Sequence, residues 1–345
     1  MNESMQALII GLSALVAMFL LIWPKGGILG LFKRITRDKK RELIEDSLKY
    51  IYNCEYNKNC LCVDELKNNL SISSDKVKNL LHSLEETDLI KTENSKYSLT
   101  SEGRSYALRI IRIHRLLERH FADQTSYKDT EWHDKAENAE HSVSFEEANR
   151  LAAKMGNPIF DPHGDPIPNE KGQIPLIEGK SLKDISAGII VKIIHIEDEP
   201  TNIYSQLVAL GISPGMQITI TEKSDKRIKF IANNDECVIA PAFAENITVA
   251  ELNETEQDYT GFSLLADLKP GYLATVRSIS KACRGQQRRR LLDFGIVPGT
   301  KIYSDLESLG GDPAAYIVRG TKVALRKKQA REIYISDIEK EDLNG

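Results

Sequence analysis

The chain has 345 residues, 50 acidic and 46 basic side chains, and a formal net charge of −4. That length accommodates two or three domains, and the slightly acidic balance excludes coating nucleic acid or membrane through bulk charge, so such binding must come from local patches. Cys54, Cys60, Cys62, Cys237 and Cys283 contain no CxxC pair, and their odd number reads as reduced thiols in a cytoplasm.

Residues 5–23, MQALIIGLSALVAMFLLIW, hold no charge. As a helix they reach about 28 Å, enough to cross a hydrocarbon core. A cleaved signal peptide would want basic residues first, and Met1-Asn2-Glu3-Ser4 supplies none. The basic residues come afterwards, at Lys25, Lys33, Arg34, Arg37, Lys39, Lys40 and Arg41. The positive-inside rule then predicts a single-pass anchor over 1–24 in the cytoplasmic (inner) membrane, with all functional domains in the cytoplasm. Residues 25–41 form a basic juxtamembrane segment.

From 42 to 103 the order is helix, helix, turn, helix, hairpin, which is winged-helix order. Asp75 to Leu84 is the recognition helix, opened by the Ser71–Ser74 turn. Ser73, Ser74, Lys76, Lys78 and Asn79 are placed to face the major groove of double-stranded DNA, with Lys91 and Lys96 on phosphate. A winged helix used for protein contact fits the same order.

Residues 104–160 read as helical. His114 and Glu118 lie four apart, on one helix face. His133, Glu137, Glu140 and His141 share a face of the next helix. Two such helices can enclose a divalent cation, although a solvated charged face has the same spacing. Nitrogen and oxygen donors without thiolate favour manganese or ferrous iron over a thiolate zinc site. FDPHGDPIP, residues 160–168, is rich in turn formers and reads as a boundary, with a linker over 161–179.

The remainder is an internal repeat. Leu210-Gly211-Ile212-Ser213-Pro214-Gly215 recurs as Phe294-Gly295-Ile296-Val297-Pro298-Gly299, 84 residues on. Strand-like alternation with Gly/Pro corners predicts two small β-barrels, over 180–252 and 261–338. Arg288, Arg289, Arg290, Arg319 and Arg326 could form a basic surface or a merely solvated one. No phosphate-cradling loop or nucleophile elbow is present, so nothing argues for an enzyme.

The winged-helix order, IHRLLERH, HDKAENAEH and DPHGDPIP together resemble the diphtheria toxin repressor and manganese transport regulator family over 42–168. That family implies metal-dependent transcription factors that bind Mn(II) or Fe(II), form homodimers through the ligand-bearing helices and repress metal-uptake genes. By motif, Glu137, Glu140 and His141 resemble the principal ligands, with His114 a ligand in both branches. Glu118 and His133 match the ancillary site of the iron branch, and Asp46 matches a manganese-branch ligand. One turn on, Lys49 stands where that branch carries a further acid. Both repeats resemble the FeoA domain, the second through RRRLLDFGIVPGT, GDPAAYIVRG and VALRKKQAREI.

The expected architecture is therefore a multidomain α+β chain. It combines a single transmembrane helix, a winged helix-turn-helix, a helical metal-binding and dimerisation domain, and two small FeoA-like β-barrels. The expected function is a membrane-tethered, metal-dependent DNA-binding regulator. The rival is a regulatory partner of a metal transporter, since Ile22 to Leu29 resembles the cytoplasmic end of manganese/zinc ABC permeases.

Overall fold

The structure, a computed structural model, describes residues 28–340 apart from 59–60, 94–95, 177, 233–234, 253–262 and 281–282. The described chain divides into two units, before and after Ile111.

In the first unit, helix α1 (Ile28–Tyr56) turns Leu48, Ile51 and Tyr52 inward, the three- and four-residue spacing of one helix face. Helix α2 (Val63–Asn69) leads through a turn to α3 (Ser74–Glu86). There Val77, Leu80, Leu81 and Leu84 form the buried stripe, and Ser73 occupies the N-cap position. Strands β1 (Ile90–Glu93) and β2 (Lys96–Leu99) form an antiparallel wing, with Ile90 opposite Leu99. Helix α4 (Ser101–Gln124) begins directly after the wing. Gly103 is required there, because a Cβ would collide with the Leu89 carbonyl oxygen.

The second unit starts within α4. A 3-10 turn at Asp129–Glu131 joins α4 to α5 (Trp132–Glu140). Helix α6 (Phe145–Lys154) follows, opened by a capping box between Ser144 and Glu147.

Each repeat folds as a six-stranded antiparallel sheet. The first contains β3 (Lys180–Ser181), β4 (Ile190–Ile196), helix α7 (Thr201–Ala209), β5 (Gln217–Lys223), β6 (Ile228–Ala232), β7 (Asp235–Ile239), the short α8 (Pro241–Ala244) and β8 (Ile247–Glu251). The second contains β9 (Ser263–Leu264), β10 (Tyr272–Ile279), α9 (Gly285–Asp293), β11 (Lys301–Glu307), β12 (Ala314–Val318), β13 (Thr321–Leu325), the short α10 (Lys327–Ala330) and β14 (Ile333–Lys340). Strand order is β3-β8-β4-β5-β6-β7 in one and β9-β14-β10-β11-β12-β13 in the other. The cores are separate. Val191, Ile193, Ile218 and Phe230 anchor the first, and Val276, Ile302, Val318 and Ile333 the second.

Two expectations are corrected. The repeats are not closed barrels: β3 and β7 end one sheet, β9 and β13 the other, each paired on one side only. Two-residue strands β3 and β9 offer too little ladder to seal the edge. The membrane-spanning helix and the single-pass inner-membrane location are also not supported: no described helix is long and apolar enough to cross a membrane. Helix α1, next after the apolar run, carries charged residues at nearly every turn. The run at 5–23 itself lies outside the described residues.

Candidate metal centre

The fourfold spacing on α4 stacks His114 and Glu118, and both are buried. Their partners come from α5, whose inward face carries His133 and the fully buried Glu140. His114 bridges the two helices, its Nε2 lying 3.1 Å from Glu118 and its Nδ1 2.5 Å from Glu140. His133 Nδ1 donates to the same Glu118 oxygen at 3.2 Å and lies 2.9 Å from Asp198 Oδ2. One ligand atom each from His114, Glu118 and His133 falls within 4.8 Å of the others.

A second cluster shares Glu118. It adds His163, from the FDPHGDPIP corner, and Asp198, from the connection between β4 and α7. His163 Nδ1 is 3.8 Å from Glu118 and 3.9 Å from Asp198. The corner is held by Asp161, whose Oδ1 accepts from the amides of His163, Gly164 and Asp165 at 2.8–2.9 Å. Gly164 permits close packing, because a Cβ would collide with the Ile194 carbonyl oxygen of β4. Arg115 pins the same corner from α4, donating to Pro166 O at 2.7 Å and Asp165 at 3.0 Å.

The electrostatics follow from burial against pairing. Burial opposes ionisation of Glu118, yet the His114, His133 and His163 imidazoles hold its carboxyl well below the usual range. Burial likewise opposes charge on His133, but Asp198 and Glu118 outweigh it and push the imidazole up to about 11. The Asp198 carboxyl is lowered, because His133 and His163 overcome its burial. Metal-free, the His133 imidazolium lies between the ionised Glu118 and Asp198 carboxylates.

The residues fit a divalent cation. Both ring nitrogens of His163 are buried without a hydrogen-bond partner among the described residues, an arrangement that ligation would satisfy. The donors are imidazole and carboxylate only, which suits Mn(II) or Fe(II). His163 and Asp198 were not singled out by sequence reasoning. A histidine among Asp, Pro and Gly in FDPHGDPIP was the signal for the first; Asp198, in Glu197-Asp198-Glu199, carried none.

Of the expected ligands, His114, Glu118, His133 and Glu140 converge. His141 lies beside Glu140, with Nε2 3.7 Å from Oε1. Glu137 is exposed at the rim, 3.9 Å from His133 Nε2. Asp46 is half-buried on α1 in the first unit. Ser73, Ser74, Lys76, Lys78 and Asn79 are all exposed at the start of α3, as are Lys91 and Lys96 on the wing, where Lys91 pairs with Glu93 at 2.8 Å. Three arginines expected on a basic surface have other tasks. Arg288 donates to the Ser280 carbonyl, Arg289 to Gln124 O, and Arg290 stacks over Phe294.

A family model for the iron dependent repressor metal binding and dimerisation domain matches residues 100–169. The FeoA domain model matches twice, at 180–251 and 264–337. The iron-dependent repressor IdeR of Mycobacterium leprae is 26% identical over 172 residues, covering 46% of this chain and 74% of that protein. A probable metal transport system membrane protein of Chlamydia pneumoniae is 32% identical over 91 residues, and the chain spans 20% of its length. A solved manganese-dependent transcriptional repressor in complex with manganese superposes with a TM-score of 0.56 at 28% identity, covering 60% of this chain and 99% of that one. The chain belongs to the diphtheria toxin repressor and manganese transport regulator family of metal-dependent regulators, with two FeoA-like domains at its C-terminal end.

Proposed function

We propose that the protein is a metal-dependent transcriptional repressor that reads Mn(II) or Fe(II) and represses metal-uptake genes. The observation that carries this reading is the His114–Glu118–His133–Asp198–His163 constellation, in which His114, Glu118 and His163 are buried. It is built on a helix that starts where the DNA-binding wing ends. His114, Glu118, His133, His163 and Asp198 would hold one cation. Glu137, Glu140 and His141 would serve a neighbouring position, and Asp46 joins them by the resemblance. The cation supplies positive charge that replaces protons between the carboxylates and ties α4 to α5.

The binding surface for DNA is the start of α3 with Ser73, Ser74, Lys76, Lys78 and Asn79, flanked by Lys91 and Lys96 on the wing. In a homodimer, metal loading would favour the spacing of two winged helices that matches two half-sites. The likeness to the chlamydial transport protein covers 26% of this chain. It supports a shared module rather than transport.

The test is fluorescence anisotropy of the full chain with DNA from upstream of its own operon, under chelator, Mn(II) or Fe(II) at fixed near-physiological salt. Saturable binding that requires metal and survives nonspecific competitor is expected, with Glu140→Ala/His141→Ala losing the metal response. Metal binding without any DNA response overturns the reading.

A further inference from the structure

The second FeoA-like domain supplies no ligand to either cluster, yet it grips the connection between the two metal-bearing helices. Helix α4 ends at Gln124 with no basic side chain in its last turn. The Thr125 amide and hydroxyl take Phe121 O, but the carbonyls beyond it lie past the helix's own donors and meet no complementary charge from the helix itself. The second domain provides both. Arg289 Nη2 on α9 donates to Gln124 O at 3.0 Å, and Ser126 Oγ donates to Gln286 Oε1 at 2.8 Å. Gly285 at the head of α9 adopts φ +56°, and a Cβ there would sit 2.8 Å from Thr125 O and 3.0 Å from Ala122 O. The approach is thus backbone to backbone and needs glycine. Arg284, just before α9, is half-buried, with the Arg119 guanidinium and the Asp123, Asp161 and Asp129 carboxylates among the charges that act on it.

The backbone and hydrogen-bond contacts fall between Ala122 and Ser126, in the segment that links Glu118 on α4 to His133 on α5. Its conformation sets how far apart those two ligands sit. We propose that the second FeoA-like domain is a built-in partner of the metal centre. By capping the C-terminal end of α4 through Arg289, it holds the α4–α5 connection in the form that binds metal. The inference rests on the metal reading of the site. Arg289 is here a positioning residue, touching the helix end and no ligand.

The test compares full-length wild type with Arg289→Ala and Arg289→Lys. Arg289 is exposed, so both variants should fold. Hydrogen exchange of residues 122–131 is followed under chelator, and Mn(II) affinity is measured by calorimetric titration. Arg289→Ala should speed exchange in that segment and weaken Mn(II) binding about fivefold, the lower range of coupling between sites. Arg289→Lys, which keeps a cation and a donor, should restore both. Gly285→Val, wedging the two backbones apart, should exceed Arg289→Ala in both readouts. Unchanged Mn(II) affinity in Arg289→Ala and Gly285→Val overturns the proposal, whether or not exchange rises. Failure of wild type to bind Mn(II) overturns the metal reading and this inference with it.

Discussion

The two FeoA-like domains share strand order, a register shift where the second strand pairs with the last, β4 with β8 and β10 with β14, and the Gly–Pro corner, yet the same connection does opposite work in each. In the first, the turn from β4 into α7 presents Asp198 to His133 and His163. In the second, the turn from β10 into α9 presents Arg284 and Gly285 to the end of α4. An acid goes where imidazoles collect, and a base where helix carbonyls end. A repeated core thus fixes where a loop emerges, while its charge decides what the loop can meet.

The comparison can be broken most decisively at Glu118, which belongs to both clusters. Glu118→Gln should abolish Mn(II) binding measured by calorimetry, since it removes the charge shared by three imidazoles. Retained binding would show that the clusters work separately. Asp198→Ala should weaken Mn(II) binding about 10- to 100-fold, as loss of a metal-orienting carboxylate does. That would separate a ligand role for the first repeat from the capping role of the second.

The cores should respond alike where the loops do not. Ile193 and Ile333 are each fully buried in their own sheet, so Ile193→Val and Ile333→Val should each cost about 1 kcal/mol in urea denaturation. A large inequality would mean that one copy leans on its neighbour for stability.

The smallest effect concerns protons. His133 is raised from 6.5 to about 11 in the metal-free chain and must be neutral to ligate. Mn(II) binding near pH 7 should therefore release about one proton per chain, read as a dependence of apparent enthalpy on buffer ionisation, and affinity should fall as pH drops. In the metal-free protein the sign is opposite. The His133 contribution to stability is complete below pH 6.5 and is lost as pH rises through about 11.

Much of this was legible in the chain because the periods are local. His114 and Glu118 share a helix face by spacing alone, and the Val77, Leu80, Leu81, Leu84 stripe marks α3 without reference to anything distant. The repeat announces itself through two Gly–Pro signatures, and strand alternation follows from the period of two. What the local pattern could not supply was closure. Each sheet needs its end strands to meet, and the two-residue β3 and β9 leave them apart. Nor could local pattern show that the Pro/Gly punctuation at 160–168 is a packed corner that buries His163 beside Glu118 and Asp198 instead of a linker, because those neighbours meet only when β4 packs against Gly164. Sequence by itself determined the helices, their polar faces and the doubled domain, since these depend on residues within a turn or two of one another. Tertiary structure alone decided that Asp198 joins His133 and His163 and that Arg289 closes the end of α4. Both contacts join residues far apart in the chain, and their partners are chosen by where the folded cores direct each loop.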